Sequence, residues 1–173
     1  MQVNFSKKIV WVLTGLIAVV LLAVIVKVVF FKPSENEKIE KMLHQLAERF
    51  AAKDFRGVAA FLTEDSIAEP GSDKETMVTH MKGFFFQVRD LSAKIELIKH
   101  ENEKLPANAS QARAIVVVKV AGTIDGNRFQ AFGEQGADAA MIDLRKIEEN
   151  WFISRARYLD LKDPLQAMQQ FKR

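Results

Sequence analysis

Ile9 to Phe31, IVWVLTGLIAVVLLAVIVKVVFF, is an apolar run interrupted by Thr14, Gly15 and Lys27 alone. As a helix it would extend about 34 Å, enough to cross a hydrocarbon core with some tilt. Lys7 and Lys8 precede it, as basic residues precede a signal peptide. The run is long for such a peptide, however, and its exit, VIVKVVFFKP, has no small-x-small cleavage pattern. The expectation is an uncleaved anchor over residues 9–32, after a tail at 1–8. Lys27 fits that reading, because its four methylenes let the ammonium reach the headgroups.

Orientation is read from two opposed signals. Lys32, Lys38 and Lys41 on the C-terminal side outnumber Lys7 and Lys8, which by the positive-inside rule leans toward a cytoplasmic domain. A very short tail before one long apolar run is the layout of a bacterial signal anchor with its domain outside. The second argument is preferred, placing the chain in the bacterial inner membrane with the domain periplasmic.

Charge separates along the same boundary. Four of the 25 Lys and Arg precede Pro33, with no acid among them, leaving 21 against 22 Asp and Glu. The basic character thus belongs to the anchor, whereas a nucleic-acid binder concentrates it on the folded part. No nucleic-acid partner is expected. The absence of cysteine excludes disulfides, thiolate metal sites and cysteine nucleophiles.

Residues 33–163 read as one domain, followed by a tail at 164–173. Ser34 caps a helix whose apolar residues, Ile39, Met42, Leu43, Leu46, Ala47 and Phe50, form one stripe. FRGVAAFLT reads as a second helix, SIAEPGSDK as a loop, and Lys74 to Val88 as a third helix with Met77, Met81, Phe84 and Phe85 on its buried side. The period then changes to two. Leu91, Ala93, Ile95 and Leu97 alternate with polar residues, placing His100 outward. Ala112 to Ile124, Ala139 to Ile147 and Trp151 to Leu161 complete four strands, with Asp125-Gly126-Asn127 as a turn. Three helices before such strands predict an α+β fold with the helices on one face of a curved antiparallel sheet.

The stretches RFAAKDFRGVAAFLTEDSIAEPG and LRKIEENWFISRARYLD resemble the opening helix pair and closing hairpin of the nuclear transport factor 2-like superfamily, also called cystatin-like or ketosteroid-isomerase-like. The resemblance covers roughly residues 36 to 161 and implies a cone between helices and sheet. In the isomerase branch a catalytic carboxylate precedes a proline after the second helix, which points to Glu69 before Pro70 as a base. The branch's oxyanion-stabilising tyrosine, however, falls at Leu46, which donates nothing. His80, at the margin of the third helix, with Tyr158 or Asp160, completes the candidate acid–base set.

The histidines show no ligand spacing, and nothing in the chain calls for a metal or a cofactor. Strand parity groups Arg145 with Asp143, and Trp151 with Ile153, Arg155 and Arg157, on the outer sheet face. Ile142, Leu144, Phe152, Ala156 and Tyr158 fall on the opposite parity, toward the core. Arginine beside an aromatic is what binding surfaces enrich, so Arg145, Trp151, Arg155 and Arg157 form the candidate surface for a protein partner or self-association.

The expected function is a membrane-anchored, non-catalytic binding or assembly module, laid out like the bitopic scaffold subunits of bacterial secretion machines. The alternative is an enzyme or small-molecule carrier using the cone. A scaffold should have its cone filled by Met77, Met81, Phe84 and Phe85. A carrier or enzyme should have a cavity of about 300 Å³ or more with converging polar groups.

Overall fold

A computed structural model describes residues 33–131 and 138–159. The expected anchor at 9–32, the tail at 164–173 and Asp160 lie outside the described residues. Among the described residues no helix is long and apolar enough to cross a membrane. The chain divides into two units, Met1–Pro33 and Ser34–Arg173.

Helix α1 (Glu35–Ala51) begins in a reciprocal cap. Ser34 Oγ accepts from the Glu37 backbone N–H at 3.2 Å, and the Glu37 carboxylate accepts from the Ser34 N–H at 2.7 Å. Lys53, with φ 58°, turns the chain after this helix. Asp54 then caps α2 (Phe55–Ala59) by accepting from the Gly57 N–H at 2.9 Å, while also taking Arg49 at 3.0 Å.

Beyond α2 the structure corrects the sequence reading. The second helix stops at Ala59, and part of the expected loop is a strand, β1 (Leu62–Ala68). Its neighbour supplies the reason: β1 runs parallel to β7 (Asn150–Leu159), and the Ile153 N–H donates to Phe61 O while the Glu69 N–H donates to Ala156 O. A short β2 (Ser72–Asp73) folds back on β1, and Asp73 caps α3 (Lys74–Gln87) through the Thr76 N–H at 2.8 Å. Then follow β3 (Val88–His100), β4 (Gln111–Ile124), β5 (Asn127–Ala131) and β6 (Asp138–Ile147). The described sheet has seven strands, not four, in the order β2-β1-β7-β6-β4-β3, with β5 on β4.

Helix α1 covers one sheet face. Ile39, Met42 and Leu43 pack on Ala114, Val116, Ile142, Leu144, Trp151 and Ile153. Each large aliphatic side chain sealed there contributes about 1.5–3 kcal/mol. Phe84 and Phe85 of α3 meet Phe50 of α1 at ring distances of 6.0 and 5.0 Å. On the other face a smaller cluster gathers Ile115, Val117, Ala139 and Leu159.

Two bulges overturn simple parity. In β7 the register steps from Asp143↔Arg155 to Leu144↔Ile153, leaving Ser154 as the extra residue. Trp151 and Ile153 therefore point toward α1 and are buried, whereas Arg155 and Arg157 stay on the outer face. Phe152 pairs with Arg145 on that outer face, opposite to expectation. In β3 a second slip lies between Ile95 and Leu97. It turns Ile98 and His100 inward and leaves Leu97 exposed. His100, expected at the surface, has its side chain 8% exposed with Nε2 3.2 Å from the Glu40 carboxylate.

Candidate functional site

The outer face of β4, β6 and β7 carries a cross-strand row: Arg113 opposite Asp143, Asp143 opposite Arg155, and Arg155 beside Ile67 of β1. These side chains share a face because each strand places alternate residues on one side. Arg113 Nε donates to Asp143 Oδ1 at 2.6 Å, and Glu101 stands 3.9 Å from the same guanidinium. The bond from Asp143 raises the Arg113 pKa above its ordinary value. Arg145 grips Asp65 of β1 with contacts of 3.0 and 3.1 Å.

Arg157 and Glu69 form a two-pronged pair, Nε to Oε2 at 2.6 Å and the second guanidinium nitrogen to Oε1 at 2.8 Å. Those bonds hold the Glu69 carboxyl below its usual range and the Arg157 guanidinium above its own. Arg155 differs from the other three arginines. Among the described residues no hydrogen bond or ion pair fixes its guanidinium, and it acts on Glu69 at a distance. It faces a groove of about 470 Å³ bordered by Asp65, Glu101, Arg113, Asp143 and Arg145.

Arg145, Arg155 and Arg157 thus lie on the outer face, and Trp151, expected there, does not. That side chain is 3% exposed. Its Nε1–H donates to Glu35 Oε2 at 2.8 Å, where Lys146 also bonds at 3.2 Å; Lys38 holds Oε1 at 2.7 Å. Burial pushes the Glu35 carboxyl up, but the three donors outweigh it and leave its pKa lowered. The sequence reading missed Glu35, which looks like an ordinary first-turn acid, and Asp65, which lies on the unrecognised β1.

The expected acid–base set does not assemble around one point. Glu69 is engaged with Arg157 on the outer face, while Tyr158 projects from the opposite side of β7, half exposed. His80 is exposed on α3, with no hydrogen bond or ion pair among the described residues. Between α1 and the sheet is an open apolar cavity of about 250 Å³, lined by Leu46, Ala47, Phe50, Val118, Ala140 and Tyr158. The phenylalanines of α3 cluster about Phe50 and leave this space. Nor do polar groups converge there, since Tyr158 is the polar side chain in the lining. Among the described residues no cluster of three or more His, Asp or Glu side chains could hold a metal ion.

No protein-family model matches the sequence, and no curated protein matches it either. Solved structures do. A candidate scytalone dehydratase from Novosphingobium aromaticivorans superposes with a TM-score of 0.59 at 16% identity, covering 72% of this chain and 82% of that one. The fold is the nuclear transport factor 2-like, cystatin-like one. A nuclear transport factor 2-like protein with a cystatin-like fold, also from Novosphingobium aromaticivorans, covers 88% of this chain and 95% of its own at 11% identity, with a TM-score of 0.57. A protein of unknown function with a cystatin-like fold from Nostoc punctiforme gives 0.53 at 15% identity, over 74% and 92% of the two chains. At such identities a cystatin-like likeness establishes architecture and leaves activity open.

Proposed function

We propose that this chain is a membrane-anchored cystatin-like module that binds a protein partner, or a second copy of itself, through the outer sheet face. The apolar run at 9–31 holds it in the bilayer, with the domain on the periplasmic side of a bacterial inner membrane. The observation that carries the reading is Arg155: an arginine with no ion pair among the described residues, at a groove whose other arginines are already matched to acids. An incoming carboxylate or backbone carbonyl can take its guanidinium without breaking an existing pair. The same face argues against Glu69 as a base, because a carboxylate gripped by Arg157 is weakly basic.

The test is a photo-crosslinking amino acid at Ile67, which borders the same groove beside Arg155, in full-length protein held in native membranes. A discrete adduct is expected at position 67, abolished by Arg155→Glu, and absent from a probe at exposed Glu48 on α1. An adduct of twice the chain's mass identifies self-association. Equal labelling at 67 and 48, or none at 67, overturns the proposal.

A second reading has the apolar cavity in its favour: a small apolar molecule carried between α1 and the sheet. Native mass spectrometry of the membrane-extracted protein tests it, a bound small molecule lost in Ala140→Phe being the supporting result.

A further inference from the structure

The face of α2 and α3 turned away from the core carries exposed aromatic and basic groups together. Phe86 is 92% exposed, an unusual position for a phenylalanine in the last turn of a helix. Lys82, one turn earlier, lies on the same side of α3, and its Nζ sits 4.8 Å from the centroid of the Phe55 ring. Arg56 of α2 places its guanidinium carbon 5.8 Å from that ring. Two cations thus share one aromatic platform.

Thr79 and Gly83 complete the exposed side, and a Cβ placed on Gly83 would meet nothing within 4 Å. Of the nearby acids, Asp54 is taken by Arg49 and the Gly57 N–H, Glu75 lies on the same stripe of α3 two turns before Lys82, and Asp90 lies beyond the helix end.

We propose that this face rests on an anionic lipid surface, with Phe86 among the acyl chains at the headgroup boundary and Arg56 and Lys82 on headgroup phosphates. An exposed aromatic projecting beside basic side chains suits an interface whose depth adapts to the side chain. Charge sign complements anionic headgroups, each basic residue near such a surface strengthening binding about fivefold. The inference rests on the reading that residues 9–31 keep the domain beside a bilayer.

The chain has no cysteine, so Gly83→Cys provides a unique site for a nitroxide in the full-length protein. Collision with oxygen and with a water-soluble nickel chelate is compared after reconstitution into phosphatidylcholine vesicles, with and without phosphatidylglycerol. The expected result is a lipid-like ratio at position 83 in the anionic vesicles alone. It should revert to a water-like ratio in Phe86→Ala combined with Lys82→Gln and Arg56→Gln, or at high salt, while a label at Glu64→Cys stays water-exposed throughout.

Carbonate extraction of the same vesicles reads the anchor separately. Protein retained in the vesicles with position 83 in water keeps the anchor and overturns the lipid face. Protein extracted by carbonate but lipid-exposed at 83 before extraction keeps the lipid face and discards the anchor. Shielding at 83 that is equal in neutral and anionic vesicles marks a protein contact and also overturns the proposal.

Discussion

Glu35 shows how one residue ties the start of α1 to the last hairpin. It is 5% exposed, and Trp151, Lys146 and Lys38 all bond its carboxylate. Trp151→Phe keeps most of the apolar bulk but removes one donor, leaving a buried oxygen less satisfied, at a cost of about 1–3 kcal/mol in denaturant unfolding. The pH dependence has a definite sign. Because the folded pKa of Glu35 lies below its ordinary value of 4.5, its stabilisation is fully present above 4.5. It declines as pH falls from there through the lower folded value, and is gone below that. Glu35→Gln should therefore flatten the acid limb of the stability profile in that window while lowering stability at neutral pH. An unchanged acid limb in the variant would show that Glu35 is not the titrating clamp. None of this is readable from sequence. Glu35 and Glu37 look alike as first-turn acids, and burial of one depends on a tryptophan 116 positions away.

Elements expose a different limit of sequence reading. The helix stripe of Ile39, Met42 and Leu43 was legible because 3.6-residue periodicity is local, and the Asp125-Gly126 turn was legible because both residues adopt positive φ, at 50° and 82°. Strand β1 was not, since LTEDSIA has no alternation and owes its pairing to β7. Bulges were the larger cost: one extra residue reverses every side chain beyond it. Counting by twos from Arg157 put Trp151 outside, and counting from Leu91 put His100 outside; both face inward.

The Ser154 bulge makes a sharp prediction. Deleting Ser154 leaves Ile153 inward and Arg155 outward in a regular strand, with Leu144↔Ile153 and Asp143↔Arg155 still paired. The deletion should therefore fold, losing about 1–3 kcal/mol through altered twist and the lost bond from Ser154 Oγ to Asp143 O. Deleting Ala156 instead keeps Ile153 and Arg157 on their own faces but turns Arg155 inward opposite Ile142, and burying that unpaired guanidinium should abolish cooperative unfolding. Near-ultraviolet circular dichroism of Trp151 distinguishes the two.

For the whole molecule, the sheet presents two candidate working faces, and they can be separated. The outer face offers charge: Arg155 at a polar groove, with Arg145 and Arg157 already held by acids. The helix face offers an apolar space of about 250 Å³. Ala47 borders that space from α1 and lies on the other side of the sheet from Arg155, so a substitution there can fill the cavity without touching the groove. If the cavity is only a packing shortfall, Ala47→Leu should raise stability by about 0.5–2 kcal/mol. It should also leave crosslinking from position 67 unchanged, since among the described residues no bond of the arginine row passes through α1. If a bound molecule in the cavity governs the outer face, the same substitution should reduce the crosslink, because the added methyl groups occupy the ligand's volume. Thermal unfolding and the adduct yield, measured on one membrane preparation, therefore decide which face the protein works with: a stabilised protein with full adduct yield assigns the work to the arginines, and one with diminished yield assigns control to the cone.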